Sequence, residues 1–407
     1  MLFSKSTKQI FILLCNRLER IEMYLGYKFC KRLAVSVMVG IVFCSLCNAE
    51  DGYTYKHKPS IPEAKDTLVG VNYFNGWWEK SPNKYEDPNG KDWRSKYPER
   101  IALLGQFNSQ EVMNAEIKAA SEYGVDFFAV LWYYNPQAVA VHRKYVNETL
   151  NDALDHFTNS PNSRLMQFSI EFCNHPPFHV KDFKTWNECI DIWLKYMKHP
   201  SYLRINGRPF FKVHGAGAFL KDTGGKENAK KWLEHFRKRV KDAGLGELII
   251  GAGNAGIVWQ GHWAQKIFDF NTEYMHVPKL QAKETDYHYN SLALGIIEQR
   301  GIHRFDQISF IPFMATGWNP RPWWKDKRPA FKEPTKDQWT RELKIMAYDL
   351  ENLSNMGIKL NDSARQKIFT IYAWNEFGEG GIVAPTQGQK YMKLEGIKEV
   401  FGVKLRK

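Results

Sequence analysis

Between Leu68 and Tyr372 the chain repeats one pattern: a short apolar run, a polar loop, then a stretch whose apolar residues recur every three or four positions. The runs 68–74, 125–134, 165–172, 209–214, 248–250, 267–274, 308–314 and 368–372 read as strands. Run 125–134 is apolar on both parities, as a parallel strand covered on both faces must be. Two of the intervening helices carry start signals. Asn108, with Glu111 three residues on, reads as an N-cap ahead of the Met113, Ile117 and Ala120 stripe, which Gly124 ends. Thr335 and Gln338 form a capping box ahead of Trp339, Leu343, Met346 and Leu350. Eight strands alternating with helices predict an α/β fold, a single-domain (β/α)8 TIM barrel, with a doubly wound open sheet as the competing architecture.

The N-terminal residues change the picture of where the barrel begins. Lys28, Lys31 and Arg32 precede an apolar segment, 33–46, too short to span a bilayer, and Cys47-Asn48-Ala49 ends on a small residue. Residues 1–49 therefore read as a leader with its start at Met23, cleaved near Ala49 during export to the periplasm, cell surface or medium. Residues 50–66, with Pro59 and Pro62, read as a linker, and 67–407 as the barrel. The net charge of +13 falls to +8 once the leader's seven Lys/Arg and two Asp/Glu are set aside. That surplus is dispersed, which argues against a nucleic-acid stripe and leaves room for an anionic substrate. Four of the six cysteines lie in the leader; Cys173 and Cys189 remain, and an exported protein could pair them.

Candidate chemistry gathers just past the strand ends. Asn72, Tyr73, Trp77 and Trp78 follow the first run, Trp132 and Tyr133 close the second, and Glu171, Asn174 and His175 the third. His214 follows the fourth, Trp318, Asn319 and Arg321 the seventh, and Trp374, Asn375, Glu376 and Glu379 the last. In a barrel these ends meet at one face. Aromatic faces stack on sugar C–H surfaces, amides and imidazoles bind hydroxyls, and paired carboxylates cleave glycosidic bonds. The pattern thus predicts a glycan substrate and a catalytic pair, Glu376 and Glu379, on a monomer. A non-catalytic glycan-binding barrel is the alternative. The segment Gly251-Ala252-Gly253-Asn254-Ala255-Gly256, with Asp269 eighteen residues after Gly251, formally matches a dinucleotide fingerprint. It lies mid-chain behind a three-residue run and reads as a glycine turn, so no nucleotide cofactor is expected. Glu171, His175 and His179 do not have zinc-ligand spacing, so no metal is expected either.

Ala373–Gly381 (AWNEFGEGG), Gly317-Trp318-Asn319, the run YGVDFFAVLWYY and the early GVNYFNGWW together resemble the WbsX-like group related to glycoside hydrolase family 99, over roughly 68–401. The resemblance implies a barrel acting on glycans by retaining endo-α-mannosidase-type chemistry. In that scheme Glu376 would take the proton from the sugar's own 2-hydroxyl, which attacks the anomeric carbon, and Glu379 would act as general acid and then base. Phe377 and Gly378 stand where family 99 typically has Trp and His, a departure that bears on the mannoside preference more than on the catalytic pair. WbsX itself has been labelled a glycosyltransferase; a cleaved leader argues against that here, because nucleotide-sugar donors are cytoplasmic.

Overall fold

The computed structural model describes residues 67–134, 148–254, 267–303 and 308–402, so the expectations for the leader and linker lie outside the described residues. Eight parallel strands form a closed ring: β1 (Thr67–Tyr73), β2 (Phe127–Trp132), β3 (Gln167–Phe172), β4 (Arg208–Val213), β5 (Ile249–Gly253), β6 (Phe270–Thr272), β7 in two pieces (Ser309–Phe310 and Phe313–Ala315) and β8 (Arg365–Tyr372). The first piece of β7 pairs with β6 and the second with β8, and β8 pairs with β1, which closes the barrel. Among the flanking helices are Gln110–Glu122, Phe183–Met197, Lys226–Asp242, Tyr289–His303, Lys336–Asn352 and Met392–Phe401.

Strand parity organises the interior. Leu68, Phe127, Phe210, Ile249, Phe270 and Ile368 point along the axis from the early part of their strands and form one inner apolar cluster. The alternate residues, such as Val69, Phe128, Phe168, Phe211, Ile250 and Phe369, join the larger cluster that includes the helices. The barrel is therefore filled at its base, and only the later inward positions are free to carry polar chemistry. Gly251 belongs to this packing, because a Cβ there would sit 2.0 Å from the Phe270 ring. Gly251 and Gly253 are residues of β5 rather than a phosphate-cradling turn; Gly256 lies outside the described residues.

Two local expectations need correction. The first long helix is capped by Ser109, whose Oγ accepts from the Val112 N–H at 3.2 Å. The Asn108 amide instead donates to the Asn75 carbonyl at 2.7 Å, tying the β1 loop to the helix start. Cys173 and Cys189 are both free, buried thiols, not a disulfide. The capping box of Thr335 and Gln338 forms as the spacing predicts.

Candidate active site

A cavity of about 200 Å³ opens at the C-terminal ends of the strands. Its wall carries Tyr133, His175, His214, Glu376 and Glu379, all predicted from the sequence, together with Phe74, Lys84, Leu131, Cys173, Tyr274 and Trp323. Pockets for drug-sized ligands run to roughly 300–1,000 Å³, so this one suits a single glycosyl ring.

The two acids sit on one tight turn after β8. The Glu376 carbonyl accepts from the Glu379 N–H at 3.1 Å and from the Gly380 N–H at 2.8 Å. Gly380 holds φ at +82°, a conformation that glycine adopts without a Cβ penalty. The turn is pinned from outside the cavity. The Asn319 N–H donates to the Glu379 carbonyl at 2.6 Å. Buried Arg100 donates to the carbonyls of Phe377 at 3.1 Å and Asn319 at 3.0 Å. Asn375 clamps Phe74 through both of its amide atoms, each contact 2.8 Å long, and the Trp77 indole donates to the Asn375 carbonyl at 2.8 Å. Trp77, Asn319 and Asn375 therefore position the acid turn and do not line the cavity. Gly378 has no room for a side chain, since a Cβ would fall 2.3 Å from the Trp323 indole.

Each acid has its own hydroxyl donor: Tyr274 donates to Glu376 at 2.7 Å, and Tyr372 donates to Glu379. Burial pushes Glu376 up to about 8, and the neighbouring Glu379 charge adds to this, against Tyr274 and Lys84. Burial also raises Glu379, but Tyr372, Lys84, Arg328 and His214 favour its charged form. Two carboxyls this close resist ionising together, so the pair as a unit keeps one proton to higher pH than a lone carboxyl would, and Arg328 and His214 add charge that favours ionised Glu379. The Lys84 ammonium is lowered by burial and raised by both carboxylates. Its carbonyl accepts from two indoles, Trp93 at 2.9 Å and Trp323 at 2.8 Å, which fix the loop that delivers it.

Beneath the acids lies a second charged group. Fully buried Glu171 accepts from Asn72 at 2.7 Å and meets Lys212 at 2.9 Å and His214 Nδ1 at 2.7 Å. Burial would raise its carboxyl, but Lys212 and His214 outweigh that and hold it below the usual range. This anchors His214 with Nε2 turned toward the Asn254 amide, 3.3 Å away. His175, half-buried beside it with ring centroids 5.9 Å apart, is pushed down to about 4 by its surroundings and is neutral at physiological pH.

The remaining predicted ligands point elsewhere, two of them by parity. Tyr73 and Trp132 face outward: the Tyr73 hydroxyl donates to Glu116 at 2.7 Å, and Trp132 packs edge-on against Trp193 at 5.2 Å. Trp374 is buried against Phe128 at 5.1 Å, behind the barrel wall. Trp78 donates to the Pro82 carbonyl, Asn174 bonds both backbone groups of Gly215, and Trp318 is buried 6.0 Å from Tyr372. Arg321 is held in ion pairs with Asp286 and Asp326. Of the residues that sequence reasoning missed, Tyr274 and Tyr372 share the inward parity of Thr272 and Thr370 and could have been found by it. Lys84 sits mid-loop and carries no such signal.

The acids stand where a (β/α)8 barrel carries its active site, at the C-terminal ends of the strands. The chain belongs to the family described as Glycosyltransferase WbsX, whose model matches residues 104–397. It is similar in fold to a solved "Glycoside hydrolase-like protein" at 16% identity and TM-score 0.53, covering 86% of this chain and 98% of that one. A weaker likeness, TM-score 0.48 at 16% identity over 83% of this chain and 96% of the other, is to the GH99 endo-alpha-mannosidase from Bacteroides thetaiotaomicron. No curated protein matches the chain by sequence.

Proposed function

We propose that the protein is a glycoside hydrolase acting on a poly- or oligosaccharide, with Glu376 and Glu379 as its acid–base pair. The observation that carries this reading is the pair itself: two carboxyls in one ring-sized cavity, each with its own tyrosine donor. Their surroundings separate their proton affinities, which is what dividing acid and base roles requires. Retention with 2-hydroxyl participation, and export on the leader, belong to the same proposal and rest on the family resemblance and on residues 1–49. The resemblance assigns the base role to Glu376, whereas the charges around the pair favour Glu376 as the proton holder.

Glu376→Gln and Glu379→Gln decide both the pair and its division of labour. Each should slow glycan cleavage by about 10²–10⁴-fold. On an aryl glycoside with a good leaving group, the variant lacking the general acid should recover most of its rate, and the variant lacking the base should not. Glycan cleavage by Glu379→Gln at the wild-type rate would sink the proposal. The transferase reading suggested by the family description predicts instead consumption of a nucleotide-sugar donor by the wild-type protein. The glycan-binding reading predicts affinity without turnover.

A further inference from the structure

Beside the cavity the segment 324–328 builds a surface that the acid pair does not use. Trp323 lines the cavity and stacks on Trp77 at 6.0 Å, and Trp324 follows it in the chain. Trp324 is 40% exposed, unusual for an indole in this chain, whose other tryptophans are largely buried among the described residues. The Arg328 guanidinium lies 4.2 Å over its ring. Lys325, Lys327 and Arg328 are all exposed, and the one acid of the segment, Asp326, is taken by Arg321 at 2.7 Å. Lys325 adopts φ +50°, outside the usual range for a side-chain-bearing residue, at the point where this basic run leaves Trp324. Arg328 is also close enough to Glu379 to favour its ionised form, which puts the ledge within electrostatic reach of the acids.

We infer that this ledge is a subsite for a negatively charged sugar unit of a longer glycan whose neighbouring ring occupies the cavity. The inference rests on reading the cavity as a glycosidase site. Trp324 supplies a stacking face, and Lys325, Lys327 and Arg328 outnumber the acids beside them, the Arg321-bound Asp326 and, near Lys325, Asp87, which leaves net positive charge for a carboxylate or sulfate. The cavity has a different balance: His175 is neutral there and Lys84 already faces two carboxyls, so the anionic group belongs on the ledge and not on the ring being cleaved.

The test is calorimetric titration of the full chain carrying Glu379→Gln. The probes are oligogalacturonate for carboxylates, chondroitin sulfate oligosaccharides for sulfates, and manno-oligosaccharides as the neutral comparison, each at low and high salt. At least one anionic series should bind about tenfold tighter than the neutral one, with the difference shrinking as salt rises. Added separately, Trp324→Ala and Arg328→Gln should each weaken that binding about fivefold while circular dichroism stays unchanged. Equal binding of anionic and neutral chains overturns the inference. So does unaltered anionic binding by Trp324→Ala, which would mark the cations as a generic polyelectrolyte surface. Binding is scored separately from cleavage: ledge-dependent affinity in a protein that cuts nothing would leave the subsite standing and remove the hydrolase.

Discussion

Lys84 shows how much of this site depends on single charges. It reaches the cavity from the long loop after β1, with its ammonium 5.3 Å from the Trp323 ring and 5.8 Å from Phe74. Its field lowers the proton affinity of both acids, against the burial that raises them. The pair is active with one proton, so activity should fall at high pH as the pair loses its last proton, and at low pH as it gains a second. Lys84→Met should move both limbs of the pH profile of kcat/KM to higher pH; a profile that stays put would remove Lys84 from the electrostatics of the pair. Glu379→Gln acts in the opposite sense on its neighbour: removing a like charge should bring Glu376 down, readable by carboxyl titration in NMR or infrared spectra.

At the scale of elements, the acid turn is a short piece of backbone held by contacts distant in sequence. Gly378→Ala would drive a methyl into the Trp323 indole, which is itself stacked on Trp77. It should cost more than about tenfold in kcat with little loss of folded structure, because the clash displaces the turn and not the barrel. Activity within twofold of wild type would show that the turn has slack. Gly251→Val tests the opposite kind of glycine. Its side chain would collide with Phe270 in the barrel floor, so it should destabilise the protein by about 1–3 kcal/mol or more in denaturant titration. NAD should not stabilise the wild-type fold. Strand parity explains why two of the predicted ligands turned away. Both faces of a parallel strand are covered, so Tyr73 and Trp132 look as eligible in sequence as Asn72 and Tyr133.

For the molecule as a whole, buried carboxyls set the pH dependence of stability. Burial pushes Glu116 up to about 7 and Glu376 up to about 8. A carboxyl whose folded-state proton affinity is raised contributes fully below its unfolded value, near 4.3, and loses that contribution as pH climbs toward the folded value. The Glu116 contribution, up to about 3 kcal/mol, should therefore fade between about pH 4.5 and 7, while His175, held down to about 4, contributes in the opposite sense between about pH 4 and 6.5. Glu116→Gln keeps the shape while removing the titration, so it should flatten the pH 4.5–7 part of the curve and raise the melting temperature at pH 8. Glu171 acts in a separate window: its carboxyl is held low, so its contribution is present above the ordinary carboxylate range and disappears only at more acid pH. A Glu116→Gln melting curve that runs parallel to wild type from pH 4.5 to 7 would contradict this account.

The alternation of apolar runs with helical stripes was enough to predict a barrel, because burying both faces of eight parallel strands leaves few other closures. It also placed both acids at the mouth, since a strand that ends in Asn-Glu-Phe-Gly-Glu must present its polar residues where the apolar run stops. Tertiary structure decided the rest. Parity relative to the barrel axis chose Tyr274 and Tyr372 as proton donors and sent Tyr73 and Trp132 to the helices. Contacts between segments hundreds of residues apart turned Asn375 and Arg100 into clamps and brought Lys84 to the acids. A residue's type limits what it can do, but which neighbours share its space is set by chain closure, and no local pattern encodes that.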